Sequence, residues 1–158
     1  MRISKFYFLF LSISLFAATP SYFPIVEEAS RETGVPVHII MGVILSESSG
    51  DPGCASLYRL DGHRDEGIMQ LNSKYLDYFS WKFNRGVKVY PFSPSSSIPV
   101  GARILAFNFR YYENWVEALA AYRQGIGGVN KNSVTHASFC YIDNVFRYGT
   151  KYKKEGER

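Results

Sequence analysis

The sequence predicts a mainly α protein: a compact single domain of several short helices around one central apolar helix. The first observation is the chain length, because 158 residues with 46% hydrophobic and 20% charged residues suffice for one domain with a buried core. The second is the segment Val37–Ser48, whose apolar residues follow helical spacing and cover most of its circumference. The third is that helical patterns recur along the rest of the chain, separated by glycines and prolines.

Residues 1–20 have the layout of a secretory signal peptide. Arg2 and Lys5 precede the apolar run Phe6–Phe16, and small residues follow from position 17. The run is shorter than the roughly 20 residues that span a bilayer. We therefore expect export to the periplasm or the extracellular space. An uncleaved membrane anchor is the alternative, because the junction contains no clean Ala-x-Ala cleavage site.

Residues 21–150 are predicted to form the domain itself, and residues 151–158 a basic disordered tail. Apolar residues at helical spacing predict six helices in the domain. Their approximate ranges are 25–32, 37–48, 75–83, 100–112, 115–122 and 137–148. Gly34, Gly50 and Gly125 follow three of these segments, as glycines commonly follow helices.

Three segments between the helices are expected to be irregular. Residues 53–66 are rich in charged and polar side chains and predict a surface loop. Residues 85–99 contain three prolines and three consecutive serines, which favours a turn-rich connection. Gly125–Gly128 has three glycines in four residues and is predicted to interrupt the helical structure.

The charge balance does not favour a nucleic-acid-binding function. The chain has 18 Lys and Arg residues against 14 Asp and Glu residues, a net charge of +4. Removal of a signal peptide would take away Arg2 and Lys5 and leave sixteen basic against fourteen acidic residues. The C-terminal tail carries the densest group of lysines. We therefore expect no nucleic acid as a partner.

The motifs also predict no metal and no cofactor. The sequence contains neither a P-loop nor a dinucleotide-binding fingerprint. Its histidines and cysteines do not occur at the spacing of zinc ligands. These residues are His38, His63, His136, Cys54 and Cys140.

Cys54 and Cys140 are the two cysteines of the chain, and both follow the predicted signal peptide. In an oxidising compartment such a pair can form a disulfide, which would add about 3–4 kcal/mol in the chain-entropy model. We predict this disulfide because both cysteines flank segments that are expected to meet at the active site. Two buried free thiols that behave as small apolar residues are the alternative.

Glu47 occupies a position that is unfavourable for a carboxylate. It lies in the last turn of the most apolar helix, where the helix terminus disfavours a negative charge by about 0.3–1 kcal/mol. Partial burial against apolar walls would raise the pKa of this carboxyl. A carboxylic acid that stays protonated near neutral pH is the group that a glycosidase uses to protonate a glycosidic oxygen. The alternative is a glutamate that rotates into solvent.

Four short motifs follow one another along the chain. In order they are Glu47–Pro52 (ESSGDP), Gly67–Asn72 (GIMQLN), Ala118–Gly125 (ALAAYRQG) and Tyr141–Val145 (YIDNV). Each is a weak pattern alone, but four in this order are specific. Together they resemble the soluble lytic transglycosylase family, lysozyme-like enzymes that cut the glycan strands of peptidoglycan. The resemblance covers about residues 24–148 and implies an α+β lysozyme-like fold.

The resemblance also implies a role for each matching residue. Glu47 would be the sole catalytic acid and base, and Ser56 would help to set up its carboxyl and the substrate. Substrate-binding roles are implied for Met69, Gln70, Tyr122 and Tyr141. From the sequence alone, Ser56 is equally consistent with an ordinary loop serine and Met69 with a core residue. Each tyrosine could instead be a core ring with a satisfied hydroxyl.

The implied activity is cleavage of the β-1,4 bond between N-acetylmuramic acid (MurNAc) and N-acetylglucosamine (GlcNAc), with formation of a 1,6-anhydro ring on MurNAc. The resemblance implies one catalytic carboxylate, so the N-acetyl oxygen of the substrate would assist the reaction and its 6-hydroxyl would replace water. The chemistry consumes no cofactor. The implied partner is the peptidoglycan glycan strand, and a wall-spanning secretion or motility machine is a further candidate.

Two departures from the family pattern leave alternatives open. Arg123-Gln124 stands where the family usually has Asn-Ala. The loop before Gly67 is longer than usual and ends in Asp65-Glu66, where the family commonly has small residues. A second carboxylate there could orient a water molecule, so lysozyme-type hydrolysis of the same bond by Asp65 or Glu66 is one alternative function. A non-catalytic peptidoglycan-binding module is the other.

Overall fold

This computed structural model describes residues 19–153 of the chain. They contain seven α-helices and one two-stranded hairpin. The helices are α1 (Phe23–Thr33), α2 (Val37–Ser48), α3 (Leu76–Phe83), α4 (Pro94–Tyr112), α5 (Trp115–Gln124), α6 (Ile126–Asn132) and α7 (His136–Gly149). The strands are β1 (Asp65–Glu66) and β2 (Leu71–Asn72), which pair antiparallel. The predicted mainly α fold class is confirmed. Residues 1–18 of the predicted signal peptide and residues 154–158 of the predicted tail lie outside the described residues.

The central position predicted for α2 is also confirmed. Its buried residues are Val37, Ile39, Ile40, Met41, Gly42, Val43, Ile44 and Ser48. α1 and α7 both pack against it. The helix begins after Pro36, whose missing N–H is tolerated at a helix start. It ends where Ser49 adopts a left-handed φ of 55°, just before the predicted stop at Gly50.

The backbones of α2 and α7 touch directly at two glycines. A Cβ atom on Gly42 would lie 2.2 Å from the carbonyl oxygen of Val145. A Cβ on Gly149 would lie 2.2 Å from the carbonyl oxygen of His38. Because no side chain separates the two helices here, their relative position is tightly defined. This contact fixes the end of α2 relative to α7.

α4 begins earlier than the sequence predicts. Residues 94–99, expected in the turn-rich connection, form its first turns. Pro94 occupies the first turn, where proline is tolerated, and the Ser97 hydroxyl donates to the carbonyl oxygen of Ser93 at 2.9 Å. Ile98 is fully buried, so tertiary packing overrides the weak local helix propensity.

The hairpin and α6 are absent from the sequence-based prediction. Strands of two residues are too short for an alternating pattern to show, so the sequence predicts only a loop and the motif that follows it. The glycine-rich segment Gly125–Gly128 does end α5, with Gly125 at a φ of 75°. Gly127 and Gly128 then continue as the first turn of α6 instead of a loop.

The chain end departs from the prediction as well. Thr150–Tyr152 forms a short 3-10 turn, and the ring of Tyr152 packs 5.8 Å from that of Phe23. This part of the predicted tail is therefore ordered. Within residues 19–153, no helix combines the length and apolar character needed to cross a membrane.

The predicted disulfide is wrong, because Cys54 and Cys140 are free thiols. Cys54 is half-buried in the loop after α2, and Cys140 is exposed on α7, where its Sγ lies 3.8 Å from Nε2 of His136. Neither is fully buried, so the alternative of two buried thiols also fails. Neighbouring residues on a helix point about 100° apart. Thus Tyr141 faces the core while Cys140 faces solvent.

Gly42→Ala should lower the free energy of unfolding by about 3 kcal/mol, because the added methyl group overlaps the backbone of α7. Urea unfolding followed by circular dichroism measures the change. Gly127→Ala in α6 is the matched control, since a Cβ there meets no atom within 4 Å and alanine favours a helix by about 1 kcal/mol over glycine. Equal stability of the two variants would contradict the close contact.

Candidate active site

Glu47 lies in the last turn of α2, one residue before the helix ends, and its side chain is half-buried. Burial raises the pKa of its carboxyl to about 7. The Tyr141 hydroxyl and the Arg123 guanidinium act in the opposite direction and lower this pKa, whereas the charge of Asp65 raises it. The carboxyl is therefore partly shielded from solvent and has polar and charged groups near it.

Tyr122 from α5 and Tyr141 from α7 bring their hydroxyls close to Glu47. Burial raises the pKa of both phenols well above the ordinary value, and the charge of Glu47 raises it further. Both therefore stay protonated and act as donors at neutral pH. Tyr122 donates to the carbonyl oxygen of Met69 at 2.9 Å. The buried Tyr141 hydroxyl has no partner at ordinary hydrogen-bond length within residues 19–153, so it is available to Glu47 or to a ligand.

Ser48 ties the turn of the hairpin to the end of α2. Its buried hydroxyl lies 2.9 Å from the carbonyl oxygen of Ile68 and 3.0 Å from that of Ile44. The same oxygen accepts a hydrogen bond from the N–H of Gly50 at 3.2 Å. One buried hydroxyl thus connects the helix, the loop that follows it and the hairpin turn. Glu47, the preceding residue, is therefore part of a helix end that is anchored to the hairpin.

The hairpin turn has an unusual backbone. Gly67 has a φ of 75°, and a Cβ there would lie 1.7 Å from the carbonyl oxygen of Pro91. Gln70 has a φ of 47°, which is uncommon for a residue other than glycine. Its Nε2 donates to the carbonyl oxygens of Cys54 at 3.1 Å and Gly67 at 2.8 Å. Since both amide hydrogens are engaged, Oε1 is the atom of Gln70 that remains to accept a hydrogen bond from a ligand.

A groove of about 470 Å³ is lined by residues of the hairpin, α3, α4 and α5. Three of these residues, Asp65, Tyr122 and Arg123, also interact electrostatically with Glu47. Much of the remaining wall is aromatic, formed by Tyr75, Tyr78, Phe79, Phe83 and Phe107. Aromatic faces with polar edges are suited to ligands that are themselves partly apolar and partly polar.

Two of the predicted catalytic and substrate-binding residues, Asp65 and Tyr122, line this groove. The others are not among its lining residues: Glu47, Ser56, Glu66, Met69, Gln70 and Tyr141. Met69 is fully buried, and its side chain fills the space above Gly101. Its predicted role as a groove-lining side chain is therefore wrong, and it contributes through the carbonyl oxygen that holds Tyr122. Ser56 bonds to the backbone of Asp65 twice, through its N–H and through its Oγ, both at 2.9 Å. It thus stabilises the hairpin and makes no hydrogen bond to Glu47.

Asp65 and Glu66, the candidates for a second carboxylate, are both paired with arginines. Arg59 donates to the two oxygens of Asp65 at 3.1 and 2.5 Å, and Asn72 adds a bond of 2.9 Å. Glu66 accepts from Nε of Arg64 at 2.9 Å. Each oxygen of Asp65 therefore already has a protein donor. Asp65 acts on Glu47 as a fixed charge.

Ser48 and Arg59 are two residues of the site that sequence reasoning missed. Ser48 directly follows Glu47 inside the first motif, and a small polar residue at the end of an apolar helix is the signal that identifies it. Arg59 and Asp65 lie six residues apart in a loop, and nothing in their spacing predicts an ion pair. Within the described part of the chain, no three His, Cys, Asp or Glu side chains lie close enough together to hold a metal ion.

The chain is similar to a known protein family and to solved structures. Residues 24–140 match the family described as "Transglycosylase SLT domain". Among solved structures, the fold is similar to that of a 70-kDa soluble lytic transglycosylase in complex with bulgecin A, with a TM-score of 0.70 and 18% sequence identity. The match covers 84% of this chain and 24% of that protein, so the chain spans about a quarter of its length. A search of curated protein sequences returned no match.

Glu47→Gln should raise the free energy of unfolding at about pH 8 and leave it nearly unchanged at about pH 4. The pKa of Glu47 is about 7 in the folded protein against an ordinary 4.5. The native state therefore holds this proton more tightly than the unfolded chain, and wild-type stability falls as the pH rises through this interval. The difference corresponds to up to about 3 kcal/mol. Urea unfolding of both proteins at the two pH values measures it, and a pH-independent difference would contradict the raised pKa.

Proposed function

The chain belongs to the transglycosylase SLT domain family, and from this premise we propose that it is a peptidoglycan lytic transglycosylase. The enzyme cleaves the β-1,4 bond between MurNAc and GlcNAc and leaves 1,6-anhydro-MurNAc ends. The observation that carries the proposal is the half-buried carboxyl of Glu47, whose pKa of about 7 lets it give and take a proton near neutral pH. The groove beside it supplies room for the glycan.

In the first step the protonated carboxyl of Glu47 donates its proton to the oxygen that links MurNAc to GlcNAc. The bond between that oxygen and C1 of MurNAc breaks, and GlcNAc leaves as an alcohol. The N-acetyl oxygen of MurNAc assists from the same sugar and shares the positive charge at C1. The substrate thus replaces the second carboxylate of ordinary glycosidases.

In the second step the carboxylate of Glu47 takes the proton of the MurNAc 6-hydroxyl. The freed oxygen attacks C1, displaces the N-acetyl oxygen and closes the 1,6-anhydro ring. Glu47 is protonated again, and no water is consumed. A carboxyl with a pKa near 7 suits both halves of this cycle, because neither its acid nor its base form is strongly disfavoured.

The two tyrosines support this cycle as neutral donors. The unpartnered hydroxyl of Tyr141 stabilises the ionised form of Glu47 between the two steps, since a hydrogen bond to a carboxylate favours its charge. Tyr122 is held by the carbonyl oxygen of Met69 and keeps the groove wall in place. The free Oε1 of Gln70 accepts a hydrogen bond from a sugar hydroxyl or amide.

Hydrolysis of the same bond is the second candidate, favoured by the position of Asp65 on the groove wall near Glu47. A hydrolase would need Asp65 to activate a water molecule, and both of its oxygens already accept hydrogen bonds from Arg59 and Asn72. The transglycosylase reaction needs no such base, and for this reason we favour it. Asp65→Asn tests the alternative directly, because only a hydrolase loses its catalytic base.

The proposal includes export through residues 1–20, because the glycan strands of peptidoglycan lie outside the cytoplasm. Fractionation of cells that produce the full chain, followed by mass determination of the mature N-terminus, tests this part. A protein that stays in the cytoplasm with an intact N-terminus would contradict it.

Glu47→Gln should reduce peptidoglycan cleavage by at least about a thousandfold, because the amide neither donates nor accepts the catalytic proton. Mass spectrometry of the products released from purified sacculi measures both rate and chemistry, since anhydro ends are lighter than hydrolysed ends by one water. Glu28→Gln, an exposed carboxylate on α1, is the matched control. Products with ordinary reducing ends would contradict the transglycosylase reaction, and activity in the Glu47 variant would contradict the catalytic residue.

The kcat/KM of the wild-type enzyme should be highest below about pH 6 and fall about tenfold for each unit above about pH 7. The first step requires protonated Glu47, whose pKa is about 7, so the reactive form of the free enzyme is lost as the pH rises. Initial rates on solubilised glycan strands at constant ionic strength give the profile. A kcat/KM that increases through neutral pH would mean that the carboxylate acts first.

A further inference from the structure

Arg123 is an exposed cation on the wall of the groove, at the C-terminal end of α5. Its guanidinium carbon lies 5.3 Å from the centre of the Tyr141 ring. Within residues 19–153 the guanidinium forms no ion pair and no hydrogen bond. Its interactions there are the contact with the Tyr141 ring and a longer-range electrostatic interaction with Glu47. Stacking on an aromatic ring holds a guanidinium in place and leaves its N–H edge free.

The other polar groups near Arg123 are already engaged. The neighbouring Gln124 accepts hydrogen bonds from the hydroxyls of Ser138 at 2.5 Å and Thr135 at 3.2 Å, so it joins α5 to α7. The groove's second arginine, Arg59, is neutralised by Asp65. Arg123 is therefore the arginine of the described groove wall that keeps donors for a ligand.

Arg123 does not help Glu47 to act as an acid. A positive charge near the carboxyl lowers its pKa, which opposes the effect of burial. The acid step gains nothing from such a shift. Arg123 faces the groove, lies over an aromatic ring and forms no ion pair within residues 19–153, so its N–H groups can receive an anion from outside.

We propose that Arg123 binds a carboxylate carried by the MurNAc residue of the glycan and so determines specificity for MurNAc-containing strands over neutral GlcNAc polymers. The inference rests on the proposed function. MurNAc differs from GlcNAc by a lactyl ether on O3, which ends in a free carboxylate in stem-free strands and in an amide to the peptide in stem-bearing strands. The stem peptide itself carries further carboxylates, so the two sources share one chemistry. The planar fork of a guanidinium matches a carboxylate with two parallel hydrogen bonds.

The test measures equilibrium binding to the inactive Glu47→Gln protein at low ionic strength, with and without Arg123→Gln. Three ligands separate the chemistry: chitotetraose, which has no carboxylate; a stem-free MurNAc–GlcNAc tetrasaccharide; and the same tetrasaccharide with its peptide stems. We expect Arg123→Gln to weaken binding of at least one MurNAc ligand by about tenfold, the effect of losing a charge-assisted hydrogen-bonded pair. Binding of chitotetraose should change by less than about twofold.

Arg147→Gln is the matched control. Arg147 also lies over a tyrosine ring, 4.9 Å from that of Tyr148, and it is exposed on α7 but does not line the groove. Its substitution should leave all three affinities unchanged. Arg123→Lys keeps the charge without the fork, so we expect its affinity for the MurNAc ligands to lie between that of the protein with Arg123 intact and that of the Arg123→Gln variant.

The pattern of losses identifies the carboxylate. A loss confined to the stem-free ligand assigns the lactyl group, and a loss confined to the stem-bearing ligand assigns the peptide. Equal losses for all three ligands, or no loss for either MurNAc ligand, would overturn the inference while leaving the proposed function intact. Failure of the Glu47→Gln protein with Arg123 present to bind any of the three ligands would overturn the proposed function and this inference with it.

Discussion

The partial burial of one carboxyl at the end of an apolar helix is the constraint on which the rest of the structure depends. Ionisation of Glu47 is opposed by the loss of hydration and by the negative end of α2. The protein compensates only in part, with the Tyr141 hydroxyl and the Arg123 charge. This partial compensation leaves the two protonation states close in free energy. A fully solvated carboxyl would be a weak acid catalyst at neutral pH, and a fully uncompensated one would be a poor base.

Two kinds of contact maintain this balance. The glycine contact between α2 and α7 places Tyr141 beside Glu47 through rigid backbones. The hairpin turn is attached by the buried side chains of Ile68 and Met69 and by hydrogen bonds such as that of Ser48, and it holds Gln70 in a left-handed conformation. Backbone strain of this kind costs of order 1–3 kcal/mol and persists only when surrounding contacts hold it. The helical core therefore positions Glu47, and the hairpin forms part of the groove wall beside it.

Much of this arrangement was predictable from the sequence, because helical spacing and the position of Glu47 are local signals. α2 matches its predicted range residue for residue, whereas α4 starts earlier because burial of Ile98 overrides the local effect of the prolines. The roles of Met69 and Cys140 depend on which way a side chain faces, and a motif does not contain that information. Met69 is buried and Cys140 is exposed. The pairing of Asp65 with Arg59 is a tertiary fact of the same kind.

The burial of the hairpin turn links the proton affinity of Glu47 to the integrity of the core. Ile68 and Met69 of the turn are fully buried, and Ser48 and Gln70 add hydrogen bonds to it. The turn therefore cannot leave its place without exposing part of the core. The surroundings that raise the pKa of Glu47 then persist until the core itself unfolds. Loss of the raised pKa on heating or in denaturant would therefore coincide with melting of the helices.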